Sequence, residues 1–555
     1  MKYKIRDCEN CDGLNDIAFP QCNACVKPTP DLDILIYKNK LFTKQQYLQE
    51  KNFVVYPFFV DVLIQPLEGK VLKSYDIKDA TVDIIDVEDK LRIAYVIKIP
   101  GLDKKYEELK ELREKFERRD FSDQLLNIWI KKHGILDYLL SDPHIQEVNI
   151  NPPEFQTPMI VIHDEFEECM TNIYPSIDFL NYLATYLKIE SGRPLNKAQP
   201  QLDGELYVEN VRTRVEAVVP PFSVHGIGYS IRKHRESPWT LPLFMKNNTL
   251  NSLFAGFMSF VIAHGRTFLV AGPRGSGKTS VLGATITEIL QKYRIITIED
   301  TQELPVDHYK RFGYDLLSLK VRSALMEEGL EIPFDHGLRT SLRLGDSCLI
   351  LGEVRSKEAK VLYEAMRVGA MSMTVAGTIH ADNPYGVYDR IVNDLGVPKG
   401  SFKVTDLIIM VKQIKTVTGL HRVRRVVSVT EVLKDWEDEP VFQDLMVYDP
   451  KRDTLVPTDV FMKGKSVVIN EIIEHTQGYK DYNAALADIM LRAWAKQKYF
   501  DIMSEVPQKL EAEFVLKANT LYVDLFEKIK PLQGKANEDE FKKQFTERVM
   551  EMAKN

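Results

Sequence analysis

Hydrophobic and polar positions change their period along this chain, and the changes divide it. Between residues 27 and 102, short alternating runs such as Phe53-Val54-Val55-Tyr56 and Leu91-Arg92-Ile93-Ala94-Tyr95-Val96-Ile97-Lys98 predict strands joined by polar turns, and Pro100-Gly101 closes the stretch. Residues 103–133 place Tyr106, Leu109, Leu112 and Phe116 at three- and four-residue steps among many charges, the pattern of an exposed amphipathic helix or linker. From 134 to 238 short helices alternate with β-branched strands at 159–163, 213–219 and 228–233, which predicts a second α+β domain. Residues 241–433 then repeat apolar strand and helix in the rhythm of a parallel sheet. Trp436-Glu437-Asp438-Glu439-Pro440 reads as a linker, followed by a helix-rich tail with Leu, Ile and Met at helical spacing. The expected division is 1–30, 31–133, 134–240, 241–433 and 434–555, and no repeat of fixed period runs through it.

Composition narrows the class. At about 100–200 residues per domain, 555 residues require several cores, and 44% hydrophobic with 28% charged residues is the balance of a globular chain. The net charge of −7 argues against a protein whose main task is coating nucleic acid. The start, Met1-Lys2-Tyr3-Lys4-Ile5-Arg6-Asp7-Cys8, has no apolar core of a secretory signal. The most apolar window, 251–272, is broken by His264, Gly265 and Arg266, so it does not read as a membrane span. The expectation is a soluble, cytoplasmic chain with no span of its own, reaching membranes only through a partner.

Four of the six cysteines fall in the first 25 residues, as Cys8-x2-Cys11 and Cys22-x2-Cys25. Two such hairpins can place four thiolates around a tetrahedral Zn2+, which holds together a segment too short for a core of its own. The alternatives are a pair of disulfides, disfavoured in a reducing cytoplasm, or four unliganded thiols. Cys169 and Cys348 stand alone, and Cys348 opens an apolar run expected in the core.

The chemistry concentrates after residue 267. The apolar strand Thr267-Phe268-Leu269-Val270-Ala271 runs into Gly272-Pro273-Arg274-Gly275-Ser276-Gly277-Lys278-Thr279, with a helix expected from Ser280 to residue 290. This is G-x-x-x-x-G-K-[ST] in the strand-loop-helix context the motif requires. Its backbone N–H groups can surround the β-phosphate of ATP, Lys278 can reach the β- and γ-phosphates, and Thr279 can offer its hydroxyl to Mg2+. A second strand, 294–298, ends in Glu299-Asp300-Thr301-Gln302-Glu303, placing three carboxylates at the sheet edge where ligands bind. A third, Cys348-Leu349-Ile350-Leu351, leads into Gly352-Glu353-Val354-Arg355, and a carboxylate there can deprotonate attacking water. A fourth, 373–379, delivers His380.

The order of these motifs resembles the secretion and pilus assembly ATPase superfamily, which serves type II secretion, type IV pili, archaella and tight-adherence systems. Through Ile298-Glu299-Asp300-Thr301-Gln302-Glu303-Leu304, Gly352-Glu353-Val354-Arg355 and Thr378-Ile379-His380-Ala381-Asp382 it is most similar to the archaeal branch. The resemblance covers roughly residues 130–433. It implies an α/β P-loop NTPase core of RecA-like fold preceded by α+β domains, the nearer one PAS-like, flanked by the zinc-ribbon-like start and the helical tail. It further implies Lys278 and Thr279 as phosphate and Mg2+ contacts, Glu299 and Glu303 as Asp-box carboxylates, Glu353 as the catalytic Walker B glutamate and His380 as the His-box histidine. Gly352 stands where the usual Walker B pair has Asp, and Leu342-Arg343-Leu344 departs from the archaeal Arg-x-Arg-Pro.

Phosphoryl transfer needs arginines, often from a neighbouring subunit. Arg339 and Arg343 are four apart, hence expected on one helical face, in a segment that is arginine-rich in the family. Arg232 in Tyr229-Ser230-Ile231-Arg232-Lys233 matches an upstream motif whose arginine faces the nucleotide in relatives. The leading expectation is a homo-hexameric ATPase at the inner face of the cell membrane, driving an integral membrane platform protein that assembles a pilus-like filament. The competing expectations are a nucleic-acid-translocating ring, given Arg232-Lys233-His234-Arg235 and Arg422-Val423-Arg424-Arg425, and a nucleotide-gated scaffold without turnover.

Overall fold

The computed structural model describes residues 67, 69–87, 92–100, 133–154, 156–208, 211–235, 237–300, 302–321, 334–341, 343–345, 347–355, 358–367, 373–417 and 422–554, with the backbone of four short strands between 34 and 64. The four-cysteine segment and, except for residue 133, the helix or linker expected over 103–133 lie outside these residues. The chain divides into two compact units, residues 1–235 and 236–555.

In the first unit β1 (Ile34–Tyr37) pairs with β2 (Lys40–Thr43), and β3 (Val54–Tyr56) with β4 (Val62–Ile64), both antiparallel. The antiparallel strands β5 (Lys70–Ile77), β6 (Ala80–Val87) and β7 (Arg92–Lys98) precede the short helix α1 (Ile135–Ser141). After it come β8 (Ile145–Ile150), β9 (Ile160–His163), β10 (Glu167–Thr171) and β11 (Ile173–Pro175), which pairs with β4. The helix α2 (Ile177–Ser191) starts where the Ser176 hydroxyl accepts the Phe179 N–H and stops at Gly192 in the left-handed region. The strands β12 (Gln201–Val208), β13 (Val211–Val218) and β14 (Gly228–Lys233) finish the unit.

Here a boundary drawn from the sequence needs correcting. Segments 31–133 and 134–240 were expected as separate domains, yet their strands join in one nine-stranded sheet, ordered β12-β13-β14-β8-β9-β10-β7-β6-β5. The seam is a parallel pairing of β7 with β10, with Ile93 opposite Cys169 and Tyr95 opposite Thr171. The physical reason lies in β7 itself: Ala94, Tyr95, Val96 and Ile97 are all buried, so both faces are apolar and the strand is unsuited to an edge. One hydrophobic cluster accordingly runs from Ile77 through Tyr95 and Phe179 to Ile231.

The second unit opens with α3 (Leu241–Lys246), capped by Thr240, and α4 (Ser252–Ala263), capped by Asn251. The apolar window 251–272 thus splits into a buried helix and β15 (Phe268–Ala271). Among the described residues no helix is long and apolar enough to cross a membrane. The chain continues through α5 (Lys278–Ile286), β16 (Ile295–Glu299), α6 (Val306–Arg311), β17 (Leu316–Lys320), α7 (Phe334–Ser341), β18 (Cys348–Leu351), α8 (Glu358–Arg367), β19 (Val375–Ile379), α9 (Pro384–Asp389) and α10 (Lys399–Phe402). It then forms β20 (Leu407–Lys415), β21 (Arg422–Val432), β22 (Phe442–Asp449) and β23 (Thr454–Pro457).

All nine strands form one sheet, ordered β17-β16-β18-β19-β15-β20-β21-β22-β23. It is parallel from β17 to β20 and antiparallel beyond. Its parallel part carries the strand of the glycine-rich loop between β19 and β20, as expected of an α/β core. Apolar clusters cover both faces: Phe254, Phe257 and Phe260 on one, Tyr363, Tyr388 and Phe402 on the other. Each such buried side chain contributes about 1.5–3 kcal/mol.

A second expected boundary, at 433/434, also fails, because β22 and β23 extend the sheet past it. The expected linker is the connection that returns β21 to β22. Trp436 is buried, donates its indole N–H to Leu433 O, and packs with Tyr388, so the turn belongs to the core. After α11 (Asp459–Met462) and α12 (Val467–His475), three long helices follow, α13 (Tyr482–Met503), α14 (Ala512–Ile529) and α15 (Lys535–Lys554). They enclose their own cluster around Tyr499, Tyr522, Phe541 and Phe545.

Candidate functional site

The loop between β15 and α5 is shaped by its glycines. Gly275 and Gly277 hold φ of 76° and 94°, a region that side chains with a Cβ avoid. No side chain caps the start of α5, so its first N–H groups are left for a ligand or solvent. Lys278 and Ser276 are buried, Pro273, Gly275, Gly277, Thr279 and Ser280 half-buried, Gly272 buried and Arg274 exposed. The Gly275 carbonyl is held by two donors from neighbouring strands, Gln413 Nε2 at 2.8 Å and Arg424 Nε at 3.1 Å.

A continuous line of polar side chains crosses the C-terminal edge of the sheet from this loop. Lys278 Nζ donates to Pro273 O at 3.0 Å and to His380 Nδ1 at 3.1 Å. His380 follows β19, and its Nε2 lies 3.2 Å from Oε1 of Glu353, which follows β18. Arg355 donates to the other oxygen of Glu353 and, at 2.8 Å, to Oδ2 of Asp300, which follows β16. The strands β15, β19, β18 and β16 are neighbours in that order, so the sheet register creates the line. An ammonium has only donors, so Nδ1 of His380 accepts and the proton of the neutral ring sits on Nε2, facing Glu353. Burial, opposed by the Glu353 carboxylate and aided by Lys278, holds the His380 pKa below its ordinary 6.5.

Glu299 is placed differently. Its side chain is fully buried and its Oε1 accepts the N–H groups of Glu303 at 2.9 Å and Leu304 at 3.1 Å. It packs under the next strand: a Cβ on Gly352 would lie 2.9 Å from Glu299 Cγ. Gly352 therefore leaves the room that Glu299 fills. Glu303, half-buried, contributes its backbone N–H to this turn.

Within the second unit, Arg339 and Arg343 are not brought to the line. Arg339 is exposed in the last turn of α7, and Arg343 lies beyond that helix, where its N–H closes a turn on Thr340 O at 3.0 Å. The expected shared helical face is corrected accordingly, because α7 ends at Ser341. Arg232 is exposed on β14 of the first unit. Asp300 was expected only as one of three carboxylates at the sheet edge, and Arg355, Gln413 and Arg424 were given no role at the site. Asp300, Arg355 and Arg424 stood inside quoted motifs, and the pairing of Asp300 with Arg355 was the missing signal. Gln413 and Arg424 lie 138 and 149 residues from Gly275, so only tertiary pairing relates them.

Cys8, Cys11, Cys22 and Cys25 lie outside the described residues. Among the described ones, His144, His163 and Asp164 bring ligand-type atoms within 4.8 Å of one another. Nδ1 of His163 there already accepts the N–H groups of Glu165 and Phe166, at 3.1 and 3.3 Å.

Comparison with known proteins places this geometry. A family model described as type II/IV secretion system protein matches residues 150–439, just over half of the chain. The uncharacterized protein MJ0900 of Methanocaldococcus jannaschii is 28% identical over 366 residues, which is 65% of this chain and 63% of that protein. Type II secretion system protein E of Pseudomonas aeruginosa is 33% identical over 131 residues, 23% of each chain. The crystal structure of the pilus retraction motor PilT with bound ADP covers 65% of this chain and 92% of its own, at 19% identity and a TM-score of 0.38, and adds nothing to the assignment. The chain thus spans less than two thirds of the length of these two curated relatives. With the family match containing the phosphate loop and every residue of the polar line, this chain belongs to the type II/IV secretion system protein family.

Proposed function

We propose that the chain hydrolyses ATP and works as a ring-forming motor, through a membrane platform protein, in assembling a pilus-like filament or secretion pseudopilus. The observation that carries the catalytic part is the contact series Lys278, His380, Glu353 at the edge beside an uncapped, glycine-shaped phosphate loop.

In this reading the loop N–H groups and the start of α5 bind the β-phosphate. Lys278, now bonded to Pro273 O and His380 Nδ1, turns one donor to the incoming phosphates. Glu353 accepts the proton of the attacking water as the water oxygen bonds to the γ-phosphorus and the bond to the β–γ bridging oxygen breaks, leaving ADP and phosphate. His380 touches both Lys278 and Glu353, so it can report to one what the other binds. Hydroxyl and carboxylate oxygens are the donors Mg2+ prefers, and Thr279, Glu353 and Asp300 are the residues here that would hold it. When bound, the ion supplies positive charge to the phosphates. Glu299 and Glu303 belong to this reading as supports of the turn that carries Asp300.

The test is Glu353→Gln. ATP should still bind, with dissociation constant changed by less than about five-fold, while turnover falls at least about 100-fold. Equal turnover in variant and wild type would refute the assignment, and a wild type that binds ATP without turnover would favour the scaffold.

The finer points of the reading are the archaeal branch, a homo-hexamer with Arg339, Arg343 or Arg232 acting across subunits, a peripheral place at the inner membrane face, and zinc on the four N-terminal cysteines. The exposure of those three arginines is compatible with action in trans. Unchanged specific activity on dilution to monomers would remove the trans role. Nucleic-acid translocation finds less support: in the cluster 422–425, Arg425 is committed to Asp453 through two bonds of 2.8 and 2.7 Å, and Arg424 to the phosphate loop.

A further inference from the structure

The second unit contains a cavity of about 530 Å³ outside the phosphate-loop edge, between α4, the residues after α5, and the long helices α13 and α14. That volume lies within the range of roughly 300–1,000 Å³ that small-molecule sites occupy. One part of its lining is apolar, from Val515, Val523, Phe526 and Phe545. Another part is a set of polar groups fixed by their neighbours, Arg492, Lys496 and Asn519.

These polar groups differ in how far their capacity is used. Lys496 Nζ spends all three donors, on both oxygens of Glu288 at 2.6 Å and on Asn519 Oδ1 at 2.7 Å. Arg492 has five N–H groups. Nε donates to Asp488 at 3.0 Å and Nη1 to the carbonyl and hydroxyl of Ser259, at 3.4 and 3.2 Å. Nη2 makes no hydrogen bond among the described residues, although the side chain is only 13% exposed. Asp488 is shared among Arg492, Tyr479 at 2.6 Å and Tyr522 at 3.4 Å. With Nε and Nη1 committed and the guanidinium stacked 5.4 Å over the Tyr522 ring, Nη2 alone keeps its donors in a cavity with apolar walls, and it can meet one oxygen of a carboxylate on an apolar body.

We propose that this cavity binds a small amphipathic monoanion, an alkyl or aryl carboxylate, which acts as an effector of the nucleotide site. The link is α5, nine residues or about 13 Å long. Lys278 begins that helix at the phosphate loop. Beyond its other end Asn519 Nδ2 donates to Thr287 O at 2.8 Å and Lys496 grips Glu288. An occupant pressing on Lys496 and Asn519 therefore acts on the far end of the helix that carries the loop lysine. Binding stands independently of the nucleotide reading, whereas the effector role rests on it.

The test uses the full-length chain and anilinonaphthalene sulfonate, a fluorescent anion with an aromatic body. The dye should bind saturably at one per chain and be displaced by octanoate at about ten-fold lower concentration than octanol, with octylammonium weakest. Ala518→Phe, which fills the cavity from α14, should lose dye binding while keeping ATP turnover. Octanoate should shift the ADP dissociation constant several-fold in the wild type and not in this variant. Absence of saturable dye binding, equal displacement by the three compounds, or undiminished binding to Ala518→Phe overturns the site. If that variant fails to fold, the head-group series on the wild type decides alone. Binding with no shift in ADP affinity overturns the effector role. Failure of ADP to bind at all overturns the nucleotide reading and leaves the dye experiment intact.

Discussion

Replacing Gly352 by Ala tests how tightly the strand edge is built. Nothing in the backbone forbids it, since Gly352 has no left-handed φ. The obstacle is Glu299, whose Cγ would lie 2.9 Å and Oε1 3.4 Å from the new methyl. Glu299 cannot swing away cheaply, because it is fully buried and its Oε1 holds two backbone N–H groups. Overpacking of this kind costs about 1–3 kcal/mol. At roughly 2–4 °C per kcal/mol for a unit of this size, the thermal midpoint should fall by roughly 2–12 °C. Glu299→Ala removes the Cγ at 2.9 Å and leaves only its Cβ, at 3.4 Å, against the new methyl, and it also removes the two hydrogen bonds, at a cost of about 1–3 kcal/mol by itself. In that background Gly352→Ala should cost less than about 0.5 kcal/mol, leaving a clear coupling energy in the double-mutant cycle. Denaturant unfolding of the four proteins measures it. Equal cost in both backgrounds, or no cost in the wild type, would refute the packing account of why glycine stands there.

Further expectations follow from the same contacts. His380 has its folded pKa lowered below 6.5, so the unfolded chain binds the extra proton first. Its contribution to stability is present above about pH 6.5 and is lost as pH falls toward the lowered value, at about 1.4 kcal/mol per unit of depression. His380→Gln should flatten that part of the stability profile against pH, and an unchanged slope would contradict it. Gln413→Ala with Arg424→Ala should weaken ADP binding about three- to ten-fold by calorimetry, because both donors to Gly275 O are lost. Lys496→Met leaves Glu288 buried without its ammonium and should cost about 3–5 kcal/mol. Adding Glu288→Leu should recover most of that loss, and no recovery would mean the pair is not what the site depends on.

The phosphate loop and the strands that frame it were legible in the sequence because they are local. A glycine pattern, a lysine and an apolar run of four or five residues all sit within a few positions of each other, and their physics is that of a single strand, turn and helix. Glu353 and His380 were legible for the same reason, as residues directly after apolar strands. The partners of those residues were not. Whether a carboxylate at a strand end faces the site or turns inward depends on its neighbours, and here Asp300 meets Arg355 while Glu299 sinks beneath Gly352. The two misplaced boundaries have a related origin. Periodicity describes a strand but not what it pairs with, so the seam between β7 and β10 and the extension of the sheet through β22 left no mark in the local pattern. Arg343 illustrates the same limit, since spacing alone places it on a helix that ends two residues earlier. The sequence by itself thus determined where the glycine-rich loop and the polar residues at the strand ends lie, through short-range backbone geometry. Only the tertiary structure decided which charges meet, because contacts such as Gly275 with Arg424, or Glu288 with Lys496, are made by sheet register and helix packing across more than a hundred residues.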